Sequence, residues 1–195
     1  MVKVLKRTQF GNPILREPAR RLTRTEILSP EINELIADMR HTVDVKKYGV
    51  GLAAPQVGKP IALSIVGIKR TPSRPTAEDV EMVIINPEIV KTYGSRSQKW
   101  EGCISFGGGT NFPYAKALRW SRVRVKYLDE QANVHEKDFE GLLAHVLQHE
   151  TDHLNGILFV ERVKDPRTFV MVSEYKKYIL PKERKVQTKK STKKS

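Results

Sequence analysis

A single cysteine, Cys103, stands among 195 residues. An internal disulfide is thereby excluded, and a reducing setting such as the cytoplasm is expected. No apolar run approaches the roughly 20 residues that a membrane helix needs. Met1 to Leu5 offer neither a long apolar core nor a small-residue cleavage site, which argues against a secretory leader. Structured-looking sequence begins by Pro13 and leaves little room for an organellar presequence. No Gly-Lys-Ser/Thr is present, so the small-residue run near residue 50 does not read as a phosphate loop. No internal repeat is visible. Acids are outnumbered by bases, 22 against 35, for a net charge of +13.

Much of that excess sits at the C-terminus. Lys182 to Ser195 hold seven basic residues, one acid and one apolar residue, Val186. Such a segment cannot bury enough apolar surface to order itself. The length suits one domain with a substantial core, drawn as 1–180, followed by a basic, disordered tail over 181–195. A basic tail suggests an anionic partner, with nucleic acid first and a merely solubilising role as the alternative.

Ser29-Pro30-Glu31 is a helix start, with a capping serine, proline at the first helical position and an early acid. Ile32, Leu35, Ile36, Met39 and Val43 recur at helical spacing, predicting an amphipathic helix to about Val45. Strands are expected over Ile61 to Ile68, over Glu81 to Ile85 with a stop at Asn86-Pro87, and over Arg122 to Leu128. Lys69 to Asp79 reads as a loop and the residues before Glu101 as a polar loop. Phe169 to Leu180 reads as a helix ended by Pro181. Strands that do not alternate regularly with helices favour an α+β fold with antiparallel or mixed sheets.

The stretch from Gly141 to Gly156 predicts another helix, with Asp138 or Glu140 near its start and Asn155-Gly156 as its stop. Leu142, Leu143, Val146, Leu147 and Leu154 spread too widely for a one-sided surface helix, so burial is expected. Its centre nevertheless carries His149, Glu150 and His153, groups that burial penalises unless something compensates them. Residues four apart stack on one helix face, so His149 and His153 can grip one cation with Glu150 beside it for proton handling, the His-Glu-x-x-His pattern. His145 cannot share an ion with His153 across eight residues, about 12 Å of helix. It reads as a packed or partly exposed histidine.

A hydrolytic metal site needs three protein ligands and an open position. A histidine six residues beyond His153 would serve, but Phe159 stands there. Glu174, about twenty residues downstream, could serve by distance, although its surroundings look like an exposed helix. Cys103 could serve as a thiolate, or be a small buried hydrophobe.

Gly49-Val-Gly-Leu-Ala-Ala-Pro-Gln56, Glu101-Gly-Cys-Ile-Ser105 and Gln148-His-Glu-Thr-Asp-His153 resemble, in order, the three signature motifs of peptide deformylases. Asn12-Pro13-Ile14-Leu15-Arg16, Ile85-Asn86-Pro87 and Leu154-Asn-Gly-Ile-Leu-Phe159 match as well, so the resemblance spans about Pro13 to Val163. It implies sheets wrapped around the His-Glu-x-x-His helix and a divalent ion on Cys103, His149 and His153. Ferrous iron comes first, with zinc, nickel or cobalt as alternatives. It also implies a metal-bound water as nucleophile, Glu150 as general base and then acid, and Gln56 with the Ile104 backbone N–H on the oxyanion. Gly51 belongs to the first motif and to the catalytic set. The substrate implied is the formyl-methionyl end of a nascent chain, with the ribosome and its RNA as a partner for the tail. Two departures stand out. Ile104 replaces a usual leucine, and Phe106-Gly107-Gly108-Gly109 replaces a branched residue, proline and glycine. The second touches peptide preference, not metal chemistry.

Overall fold

A computed structural model describes residues 2–46, 49–71, 78–107 and 111–183 of the chain. Runs of β-formers joined by short connections pair most readily as antiparallel neighbours. β1 (Gly51–Ala53), β2 (Leu63–Ile68), β3 (Val80–Gly102), β4 (Pro113–Leu128) and β5 (Val134–Glu140) do so in sequence order, and β6 (Val170–Met171) adds to the start of β4. All these pairings are antiparallel, which narrows the expected antiparallel or mixed arrangement. Between the described strands the parallel element is an isolated bridge, Arg20 to Ile61.

Successive side chains of a strand face opposite ways, so the sheet has two apolar faces to cover. Leu63, Ile65, Val83 and Ile85 meet Ile32, Leu35, Ile36 and Met39 of α2 (Pro30–Lys46), which follows the single-turn α1 (Arg24–Ile27). Val66, Ile68, Ile84, Val123 and Val125 meet Ala144, Val146 and Leu147 of α3 (Gly141–Leu154). The His-Glu-x-x-His helix is therefore buried against the sheet. Glu140 stands at the N-cap position without a side-chain capping bond, and the chain leaves the helix through Gly156 at φ +71°. A Cβ at Gly156 would lie 2.4 Å from the Arg16 carbonyl oxygen, so only glycine fits this crossing.

Several sequence expectations change here. Asn86-Pro87 does not end a strand: β3 continues through it as a bulge, with register shifting between Ile85 and Glu88. Asn86 takes the left-handed conformation at φ +51°. Its side chain satisfies both backbone groups of Leu22, accepting from N–H at 2.8 Å and donating to C=O at 2.7 Å. The polar residues before Glu101 are strand as well, because β3 and β4 form a ribbon whose backbone bonds do not require an apolar sequence. Near the C-terminus, β6 precedes a helix that starts at Val172–Glu174, widens into a π turn at Tyr175–Ile179 and continues to residue 183. The widened turn accommodates Pro181, which cannot donate to a carbonyl one turn back. Residues 181–183 are helical; residues 184–195, and residues 72–77 of the loop expected over Lys69 to Asp79, lie outside the described residues.

Replacing Asn86 by alanine strips two buried backbone groups of their partners. A loss of roughly 2–4 kcal/mol is expected from unsatisfied groups of this kind. Urea unfolding of Asn86→Ala measures it, and an unchanged midpoint would mean that Leu22 finds other partners.

Candidate active site

Three elements deliver the site. The β1 end and the following turn, Ala54–Val57, carry Gly51 and Gln56. The β3 end and the turn after it carry Glu101, Cys103 and Ile104. One face of α3 carries His149, Glu150 and His153. Cys103, His149 and His153 each offer a ligand atom, and these atoms lie within 4.8 Å of one another. The Cys103 Sγ stands 3.2 Å from His153 Nε2. Glu174 is exposed and outside this group, so the downstream-glutamate alternative finds no support.

The orientation of each donor is set from behind. His149 Nδ1 lies 2.6 Å from Glu101 Oε1, which leaves Nε2 to face the ligand group. Glu101 also accepts from Arg119 at 2.6 and 2.8 Å, and His145 Nε2 lies 2.5 Å from its other oxygen. Arg119 donates to Asp152 at 2.5 Å, and Asp152 accepts from Arg162 at 2.6 and 2.9 Å. Gln56 accepts from the Ala53 N–H at 2.8 Å, which fixes its amide so that Nε2 donates to Cys103 Sγ at 3.3 Å and to Ser105 Oγ at 3.2 Å. Sequence reasoning gave no role to Arg119, Asp152 or Arg162. Arg119 could have been found: it shares strand parity with Ala115, Ala117, Val123 and Val125, all inward-facing.

Burial alone would raise the Cys103 thiol, but the charges of His153 and His149 and their hydrogen bonds outweigh it and hold the thiol at about 5. His149 is pushed well above its ordinary range, since burial, which would lower it, loses to the Glu101 carboxylate and Cys103. Burial also lifts the Glu150 carboxyl to about 6, against the opposing charges of the two histidines. Its Oε2 is buried with no hydrogen-bond partner among the described residues. Gly51 makes room for this carboxylate: a Cβ there would lie 2.2 Å from Glu150 Oε1. Gly51, Gln56, Cys103, Ile104, His149 and Glu150 all line one cavity of about 560 Å³.

The donor set of one thiolate-prone sulfur and two imidazoles, oriented from behind and beside an unpartnered carboxylate, fits a borderline divalent ion such as iron or zinc. A buried acid poised near neutrality can both take and return a proton.

The family model for polypeptide deformylase matches residues 4–169. A peptide deformylase of Leptospira biflexa is 39% identical over 169 residues, covering 86% of this chain and 90% of that protein. Peptide deformylase 1 of Nitrosomonas europaea is 36% identical over 162 residues, covering 83% and 88%. Among solved structures, the Met-Ala-Ser-bound class I type b peptide deformylase of Acinetobacter baumannii is similar with a TM-score of 0.76 at 36% identity, over 84% of this chain and 100% of that one. The Synechococcus elongatus peptide deformylase in complex with actinonin has a TM-score of 0.73 at 36% identity, over 86% and 84%.

Glu150 yields a stability prediction in the metal-free protein. A carboxyl raised from 4.5 to about 6 favours the protonated fold, so stability falls as pH rises through that window. The fall is roughly 2 kcal/mol by linkage. Glu150→Gln removes it. The metal-free variant should match wild type near pH 4.5 and exceed it by roughly 1–2 kcal/mol at pH 7.5 in urea unfolding, as linkage requires. An equal difference at both pH values would show that Glu150 is not held neutral by the fold.

Proposed function

The chain belongs to the polypeptide deformylase family, a family of metal-dependent hydrolases that remove the N-formyl group from nascent peptides, and from that premise we propose how its residues divide the work. The observation that carries the reading is the convergence of Cys103, His149 and His153 beside the buried, unpartnered Glu150 carboxylate.

Cys103, His149 and His153 are proposed as the ligands of one divalent ion, ferrous iron first, with zinc, nickel or cobalt also suited to the donor set. Such an ion, when bound, supplies Lewis acidity and lowers the pKa of water. Glu150 receives a proton from the attacking water and returns it to the departing amine, a task suited to a carboxyl poised near 6. The Gln56 amide, its orientation fixed through Ala53, exchanges its bond to Cys103 Sγ for one to the carbonyl oxygen as charge develops there, with the Ile104 N–H as the second donor. Gly51 leaves the Glu150 carboxylate its place. Formate and a free methionyl amine are the products.

A cytoplasmic setting is proposed from the single, buried cysteine and from where the substrate is made. Among the described residues no helix is long and apolar enough to cross a membrane. The basic tail is proposed to contact ribosomal RNA, supported by its charge alone, since residues 184–195 lie outside the described residues.

Two experiments test these assignments. Glu150→Gln should keep its metal and lose about 10²–10⁴-fold in formate release from a formyl-Met peptide, the scale of a positioned acid–base group. Cys103→Ala should lose metal and activity together, while Glu174→Ala keeps both. Metal content by elemental analysis decides, and a metal-free Glu174→Ala beside an intact Cys103→Ala would reverse the ligand assignment. For the tail, deletion of 184–195 leaves Glu183 in place. It should weaken ribosome binding and flatten its salt dependence. Equal affinity with and without the tail, at low and physiological salt, would leave it a solubilising segment.

A further inference from the structure

The cavity that holds the catalytic cluster does not end there. Its outer wall is Val172, Tyr175, Lys176 and Leu180, all from the C-terminal helix, facing Leu142 of α3 and Val50 beside β1. These helical residues follow the stretch 4–169 that matches the family model, so the resemblance assigns them no role. The helix is fastened to the β3–β4 ribbon. Tyr175 packs against Trp100 and Tyr114 with ring centroids 5.0 and 5.2 Å away, and Glu183 accepts from Trp100 Nε1 at 2.6 Å and from the Tyr175 hydroxyl at 3.2 Å. Its first two turns include the π turn at Tyr175–Ile179. Single π turns of this kind re-aim side chains and are frequent at functional sites.

Charge on the cavity wall is unevenly placed. Among the described lining residues, acids and fixed cations are Glu101, Glu150 and Lys176. Glu101 is engaged by Arg119, and Glu150 belongs to the catalytic cluster. Lys176, exposed, is the one fixed cation among the described lining residues that no acid of the same wall engages. The same cavity joins Cys103, His149 and Glu150 to Val172, Tyr175, Lys176 and Leu180, so residues that follow a formyl end held at the former have this wall within reach.

We infer that the C-terminal helix is part of the peptide-binding surface and that Lys176 is a specificity-determining residue, favouring an acidic side chain shortly after the formyl-methionine. The inference rests on the deformylase reading for its substrate. Leu180 and Val172 supply apolar contact, and Lys176 adds a charge selection that acts on binding and not on the reacting bond. Its effect therefore falls on KM and leaves kcat nearly equal between peptides.

The test uses the metal-loaded, full-length protein and amidated formyl-Met peptides carrying Asp or Lys at the second, third or fourth position. In wild type, kcat/KM should favour Asp over Lys by roughly threefold to tenfold at one position, the scale of an exposed ion pair and its repulsive counterpart. Lys176→Arg should keep that ratio, Lys176→Ala should bring it near one, and Lys176→Glu should invert it. Added salt should shrink it. The same Asp-to-Lys ratio in wild type and Lys176→Glu at every position would overturn the inference. Binding of the deformylated Met peptides, followed by calorimetry, separates this result from failure of the underlying reading. Absence of formate from every peptide counts against the reaction, whereas a binding ratio that follows the charge at residue 176 supports the helix regardless.

Discussion

The Glu101 carboxylate is the joint on which the site and much of the fold depend. It sits at the end of β3, buried, two residues before Cys103, and it touches three groups from two other elements: Arg119 of β4 and His145 and His149 of α3. A buried carboxylate is tolerated only when paired and hydrogen-bonded, and removing one partner from such a pair costs roughly 3–5 kcal/mol. The strand end, the neighbouring strand and the helix are thus obliged to meet in one arrangement. That arrangement places the Cys103 sulfur opposite His153 and turns His149 Nε2 inward. The group that could hold a metal ion is pre-oriented by the same contacts that stabilise the fold.

Arg119 passes this constraint onward. Its second partner, Asp152, lies between His149 and His153 in sequence, and Asp152 in turn holds Arg162 beyond the helix. These bonds oppose rotation of α3 about its axis. Glu150 is treated differently. It has neighbours of both charges but an oxygen with no partner among the described residues, and burial raises its pKa where pairing would lower it. Neighbouring carboxylates on the same helix thus meet opposite fates: one is locked by guanidiniums for structure, the other left without that support and available for protons.

The legible part of this plan was the part written in local spacing. His149, Glu150 and His153 lie on one helix, and helical periodicity places them together without further information. The α2 stripe was legible for the same reason. Cys103 was only one of several possible third ligands until motif resemblance singled it out, because its approach to α3 is a tertiary event. Arg119 escapes for a related reason, although the parity of β4 carries it once the strand's start is known. A basic residue between Leu118 and Trp120 signals solvent unless strand parity is known, and the sequence predicts the strand only from Arg122. The extent of β3 escaped because a two-stranded ribbon satisfies its backbone bonds without an apolar alternation, so Lys91 to Lys99 carry little pattern. The C-terminal helix was read as ending at Pro181 because a π turn cannot be foreseen from composition.

Charge counting joins these observations. Glu101 and Asp152 are balanced by Arg119 and Arg162, so the supporting layer is neutral as it stands. The reactive layer is not. A Cys103 thiolate and an ionised Glu150, with both histidines neutral, carry two negative charges in a buried space. Without a cation the fold compensates by protonation: His149 is driven to keep a proton and Glu150 is pushed toward its neutral form. A divalent ion neutralises the same layer without either proton. Proton and metal are therefore competing solutions to one electrostatic demand, and the supporting layer, already balanced, can stay unchanged while the reactive layer passes from one to the other.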